Sequence, residues 1–132
     1  MKQPLTRSSG FTVIELIVAI VFLAAAGGLF AWQMNNLSIS YRDDARRTSI
    51  NAIHYSLEEV YYQENGHYPE QINDDTLRSI DKEILVDPNG IKLGESDSDY
   101  RYEPTACNNG QCKSYSLRAN LENEADYIRR SN

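Results

Sequence analysis

A chain of 132 residues, 41% hydrophobic and 24% charged, has room for one modest domain and one membrane segment, and for little else. Its formal charge is −6, with 19 acids against 13 lysines and arginines, which speaks against nucleic acid as an obligate partner because phosphate binding needs clustered cations. No P-loop, Gly-x-Gly-x-x-Gly fingerprint or nucleophile–base constellation stands out, and enzymatic activity is not expected.

The first nine residues carry Lys2 and Arg7 and no acid, and Gly10 follows them. From Phe11 to Trp32 runs a 22-residue apolar stretch in which Thr12 and Glu15 are the polar side chains. That length spans a bilayer as a helix. A mid-helix acid costs roughly 2.5–3.5 kcal/mol on insertion scales, which makes Glu15 a functional residue by default, in need of a partner. A secretory signal peptide would use Leu16–Leu23 as its apolar region and Ala24-Ala25-Ala26 as its cleavage site, but the apolar run continues past that cut. A plain single-pass anchor explains the length and leaves Glu15 without a purpose. Arg42, Arg46 and Arg47 follow the stretch closely, so flanking charge alone does not orient it.

Beyond Trp32 the helical pattern continues. Leu37, Tyr41, Ala45, Ile50, Ile53, Leu57, Val60 and Tyr61 recur at threes and fours, with Arg42, Asp43, Arg46, Arg47, Asn51, Glu58 and Glu59 expected on the opposite face. Asn65-Gly66 gives the stop, so one helix is expected from about Thr12 to about Glu64, on the order of 80 Å long. Asp74 or Asp75 is expected to cap a short helix through Leu77 and Ile80. Ile84-Leu85-Val86 reads as a strand closed by an Asp87-Pro88-Asn89-Gly90 turn. Tyr100–Glu103 and Tyr115–Leu121 alternate as strands, and the charged tail from Glu122 is expected to end loosely. Tyr61, Tyr100, Tyr102 and Tyr115 sit at core-facing spacing, where packing is the expected role. The whole reads as α+β: a long N-terminal helix, apolar in its first half and amphipathic in its second, packed on a small antiparallel sheet.

Cys107 and Cys112 are either two free thiols or a disulfide across a tight loop, and an oxidising compartment beyond a membrane favours the disulfide. Glu95, Asp97 and Asp99 alternate closely enough to be candidates for calcium, or form a solvated acidic turn.

Gly10-Phe11-Thr12-Val13-Ile14-Glu15-Leu16, behind a basic leader and ahead of an apolar helix, resembles the processing motif of type IV pilin-like proteins, which include type IV pilins, competence pilins and type II secretion pseudopilins. The resemblance implies that residues 1–10 are a leader removed by a prepilin peptidase, and that Phe11 becomes the N-methylated first residue. Residues 11–32 would be the membrane and filament-core half of the helix, and residues 33–132 a pilin-like globular domain facing outward. It also implies a structural subunit that polymerises with itself and with other pilin-like subunits, on an assembly platform in the cytoplasmic membrane, into a pilus or a cell-envelope pseudopilus. Such filaments serve adhesion, motility, DNA uptake or secretion. Glu15 would then neutralise a new N-terminal amine and set subunit register.

The body is similar to the same family at Tyr61–Pro69 and at Asp87-Pro88-Asn89-Gly90 with Tyr100 and Tyr102. That second pattern is close to the Asp-Pro-Trp-Gly and Tyr-x-Tyr of major pseudopilins, in which calcium binds nearby; Asn89 stands in place of the Trp. Trp32 occupies a position where pilins commonly carry Pro, and Gly27-Gly28 lies just before it. A non-polymerising, membrane-anchored binding domain is the alternative from another class.

Overall fold

Thr12 starts the long helix. Its carbonyl accepts the Leu16 N–H at 3.1 Å and its Oγ1 accepts the Glu15 N–H at 3.3 Å, which satisfies two of the donors that a helix start leaves free. The computed structural model describes residues 10–132, so the basic leader with Lys2 and Arg7 lies outside the described residues. Helix α1 runs Val13–Tyr55. The chain divides into two compact units, the second beginning at Ser38.

In the first unit the apolar side chains of α1 all face outward. Phe11 is 80% exposed, Phe22 74% and Trp32 65%. A Cβ added at Gly27 or Gly28 would meet nothing, so no contact among the described residues requires the glycine pair. Among the described residues, one helix is long and apolar enough to cross a membrane.

The second unit is built on the other half of α1. Asp43, Arg46, Ile50 and Ile53 are its buried residues, spaced by threes and fours. A π-helical segment follows at Ser56–Tyr61, and then a last α-turn, α2, at Tyr62–Asn65. Gly66 ends the run as expected: at φ 71° it takes the left-handed cap conformation, and its N–H reaches the Tyr62 carbonyl at 2.8 Å.

Five short strands complete the unit. Strand β1 is Tyr68–Pro69, β2 Tyr100–Thr105, β3 Gln111–Cys112, β4 Ser114–Ala119 and β5 Tyr127–Arg130. β1 and β3 form a two-stranded antiparallel ladder with Tyr68 opposite Cys112. β2, β4 and β5 form a three-stranded sheet in that order, both pairings antiparallel. Strict alternation along β4 turns Tyr115, Leu117 and Ala119 inward, where Ile50, Ile53, Leu57, Tyr100 and Leu85 complete one core. This is the α+β architecture expected of the sequence, with the helix covering the sheet's apolar face.

Three elements differ from expectation. Ile84-Leu85-Val86 is not a strand, because Lys82–Leu85 is a 3₁₀ turn capped by Asp81. The Asp87–Gly90 turn reverses the chain at once, so only Val86 finds a bridge, to Lys92, while Leu85 drops into the core. The short helix from Asp74 or Asp75 is a tight turn organised one residue earlier. Asn73 Oδ1 accepts the N–H groups of Asp75 at 3.0 Å and Thr76 at 2.9 Å, and Asp74 pairs with Lys92 and Lys82. The sheet's third strand comes from the tail: Ala119, Arg118, Leu117 and Ser116 of β4 pair with Tyr127 to Arg130, and the Ser131 N–H bonds the Tyr115 carbonyl at 3.1 Å.

Leu57 has no exposed surface and sits where helix meets sheet. Leu57→Ala is expected to cost about 2–5 kcal/mol, read as a lowered denaturation midpoint at unchanged denaturant slope.

Candidate functional site

The first candidate region is the start of α1. Gly10 and Phe11 are exposed ahead of the helix, and among the described residues no heavy atom lies near the place a Cβ on Gly10 would take. Glu15 lies in the first turn of α1, where the helix dipole favours an acid. Its carboxylate meets no partner among the described residues. Among the described residues this acid is unpaired, on a helix end whose apolar neighbours are also uncovered, with Ile14 66% and Leu16 55% exposed.

The second is a buried ionic centre in the domain. Arg46 is 2% exposed although the sequence places it on the polar face. Its Nη1 donates to Asp43 Oδ1 and to Glu122 Oε1, each at 2.9 Å, and its Nε and Nη2 donate to Asp99 Oδ2 at 3.0 and 2.9 Å. Arg42 grips both oxygens of Glu122 at 2.6 Å, a bidentate pair. Asp43 in turn accepts the N–H groups of Glu122 and Asn123. Burial opposes the Arg46 charge, but its bonds with Glu122 and Asp99 outweigh that, and its pKa is raised. The hydrogen bonds from Arg42 and then Arg46 hold the Glu122 carboxyl down at about 2.

The third is a buried carboxylate without a cation. Ser56, Leu57 and Glu58 are all buried, three consecutive residues that a regular α-helix would spread over most of its circumference. The wider π-turn is what turns them inward together. Glu58 Oε1 accepts from Tyr115 Oη at 2.8 Å, and Tyr68 Oη reaches both carboxylate oxygens at 3.0 and 3.1 Å. Since the Tyr115 hydroxyl donates to Glu58, its oxygen is left to accept from His54 Nδ1 at 2.7 Å. Burial, followed by the bond to Glu58, pushes the Tyr68 and Tyr115 hydroxyls up, and burial followed by Arg129 lowers His54. Tyr68 and Tyr115 meet edge-on with ring centroids 4.8 Å apart.

Cys107 and Cys112 are joined in a disulfide. Between them Asn109 and Gly110 both take positive φ, at 50° and 78°, and Asn108 and Gln111 bond across the turn at 2.8 and 3.1 Å. This is the two-residue hairpin that Asn-Gly favours.

Glu95, Asp97 and Asp99 do not come together as a calcium site. Among the described residues no three His, Cys, Asp or Glu side chains gather as metal ligands. Asp99 is engaged by Arg46 and by Asn89, whose Nδ2 donates to Oδ2 at 2.9 Å. Glu95 and Asp97 are exposed.

The burial of Arg46 and Glu58 was missed in the sequence. The signal for Arg46 was present, since Asp43 and Arg46 continue the spacing of Ile50, Ile53 and Leu57 toward the N-terminus. For Glu58 the local sequence carried none, because its inward turn depends on the π-segment. Compared with models of protein families, with curated proteins and with solved structures, the chain matches none.

Arg46→Ala takes the cation away from buried Asp43 and from Asp99 and leaves Glu122 to Arg42 alone, and a loss of about 3 kcal/mol in unfolding free energy is expected from denaturant titration. Glu122 supplies a pH signature. Its folded-state pKa of about 2 lies below the ordinary 4.5, so its contribution is full above about pH 4.5 and is lost as pH falls toward about 2. The stability gap between the parent and Glu122→Gln is expected to close across that window in acid titrations followed by circular dichroism.

Proposed function

We propose that this protein is a structural, non-enzymatic subunit of a type IV pilus or a related filament. A prepilin peptidase removes residues 1–10, Phe11 is N-methylated, and the subunit waits in the cytoplasmic membrane with its domain outside until an assembly platform inserts it. The observation that carries this reading is Glu15, an acid with no partner among the described residues, in an uncovered apolar helix and four residues beyond the amine that cutting after Gly10 creates. In a low-dielectric filament core, that amine and a Glu15 carboxylate stabilise each other strongly only when paired, so the pair selects one axial position. The apolar side chains from Phe11 to Trp32 supply most of the association energy when neighbouring helices cover them.

The Asp87–Gly90 turn followed by Tyr100 and Tyr102, and a disulfide suited to an oxidising compartment, support the outward-facing domain and favour the pseudopilin form as the second reading. A membrane-anchored binding domain that does not polymerise is the competing class.

The mass and N-terminal residue of the mature protein separate these. A start at methylated Phe11 is expected; a start after Ala26, or an intact Met1, refutes the processing. Glu15→Ala is expected to insert into the membrane at parental levels and to reduce filament yield at least tenfold by electron microscopy of sheared fractions. Parental yield from that variant would remove the register role.

A further inference from the structure

Asn65-Gly66, Asn89-Gly90 and Asn109-Gly110 are Asn-Gly pairs, and such a pair rearranges without an enzyme, because no side chain on the Gly keeps its nitrogen from the Asn amide carbon. By local sequence the three are equivalent. The fold separates them. Asn65 Nδ2 donates to the Tyr61 carbonyl at 2.8 Å, and the Gly66 N–H to the Tyr62 carbonyl at 2.8 Å. Asn89 Nδ2 donates to Asp99 Oδ2 at 2.9 Å, its own N–H to Asp87 Oδ1 at 2.9 Å, and the Gly90 N–H to the Asp87 carbonyl at 2.9 Å. In both pairs the two reacting groups are tied to separate acceptors. Asn109 and Gly110 are exposed, and among the described residues neither the Asn109 side-chain amide nor the Gly110 N–H has a hydrogen-bond partner. Their turn is held from outside, by the two bonds between Asn108 and Gln111 and by the disulfide. Opening it frees no buried group and breaks no side-chain anchor.

We infer that Asn109 is a site of covalent self-modification, converted to aspartate or isoaspartate through a cyclic imide with Gly110. The Gly110 nitrogen attacks Asn109 Cγ. A carbon–nitrogen bond forms as the Cγ–Nδ2 bond breaks, and ammonia leaves with the Gly110 amide proton. Water then adds across one of the two carbonyl–nitrogen bonds of the five-membered ring, and it is the sole co-reactant. Both products put a carboxylate on the loop next to Gly110, where Glu70 Oε2 lies 4.0 Å from the place a Cβ would take. Isoaspartate also adds one carbon to the main chain, just ahead of Gln111 and Cys112, which pair with Pro69 and Tyr68. Tyr68 is a donor to the buried Glu58 carboxylate, so a loosened β1–β3 ladder bears on the core. None of this depends on whether the chain polymerises.

Peptide mapping by mass spectrometry tests it on the full chain, incubated at mildly alkaline pH in detergent micelles and, separately, in concentrated urea. Each site is read by its gain of about 1 Da. In the folded protein Asn109 is expected to convert at least tenfold faster than Asn65 and Asn89. In urea the three are expected to convert at similar rates, because the guarding bonds are gone. Asn109→Gln, which leaves Asn108 in place and would need a six-membered ring, is expected to abolish the gain in that peptide. In the isoaspartate fraction, amide exchange across β1 and β3 is expected to be at least tenfold faster than in unconverted protein. Four results would overturn the inference: conversion at Asn65 or Asn89 as fast as at Asn109 in the folded chain, the same ranking in urea, a gain that persists in Asn109→Gln, or parental exchange in the isoaspartate fraction.

Discussion

A guanidinium with almost no access to water governs how the domain is put together. Arg46 takes carboxylates from three places in the chain: Asp43 one turn away on the same helix, Asp99 just before β2, and Glu122 just after β4. Each partner is tied onward through its own backbone or side chain. The Asp99 N–H bonds Asp87 at 2.8 Å, its carbonyl accepts from Asn120 at 2.9 Å, and the Glu122 N–H returns to Asp43. Apolar burial supplies the larger share of the domain's stability, but it is indifferent to small rotations of the helix. The ionic centre is not, since a shift of one residue would part Arg46 from the carboxylates it bonds and leave buried Asp43 without its cation. The helix therefore has one rotational setting over the sheet.

What was legible in the sequence was whatever depends on period and on turn chemistry. The 3–4 spacing of Ile50, Ile53 and Leu57, the alternation of Tyr115, Leu117 and Ala119, the Gly66 stop and the Asp87–Gly90 turn all came out as expected, because each is decided by neighbours within a few residues. Ile84-Leu85-Val86 has strand composition and no strand, since a ladder needs a second chain segment and the turn after it offers only Lys92. The tail beyond Glu122 is rich in charge and still supplies β5, because its backbone completes the free edge of β4 while Ile128 and Arg130 remain exposed. Composition reports side-chain preference; pairing is settled by which edge is left open.

The candidate site divides along the same line. Glu15 is readable because its cost is local: an acid inside an apolar run stands out in any frame. Arg46 and Glu58 are buried by partners 53 to 76 and 10 to 57 residues away, and their sequence neighbours look like an ordinary solvated helix face. The two halves of α1 thus invert the usual arrangement. The first exposes hydrocarbon and one acid; the second buries a guanidinium and a carboxylate, Arg46 and Asp43. Glu58 is buried with two phenols as donors, which orders the Tyr68 and Tyr115 rings and holds the β1–β3 ladder close to the core.

The π-segment has a consequence for register. A stretch of π-turn accommodates one residue more than the α-helix that it interrupts. A chain one residue shorter between Ile53 and Gly66 would run as plain α-helix there and would turn Glu58 away from Tyr68 and Tyr115. Ser56–Tyr61 thus sets the helix before it and the turn after it out of one common α-helical register. Positions on its two sides belong to separate registers, so a homologue is comparable residue by residue only when a gap is placed within those six positions.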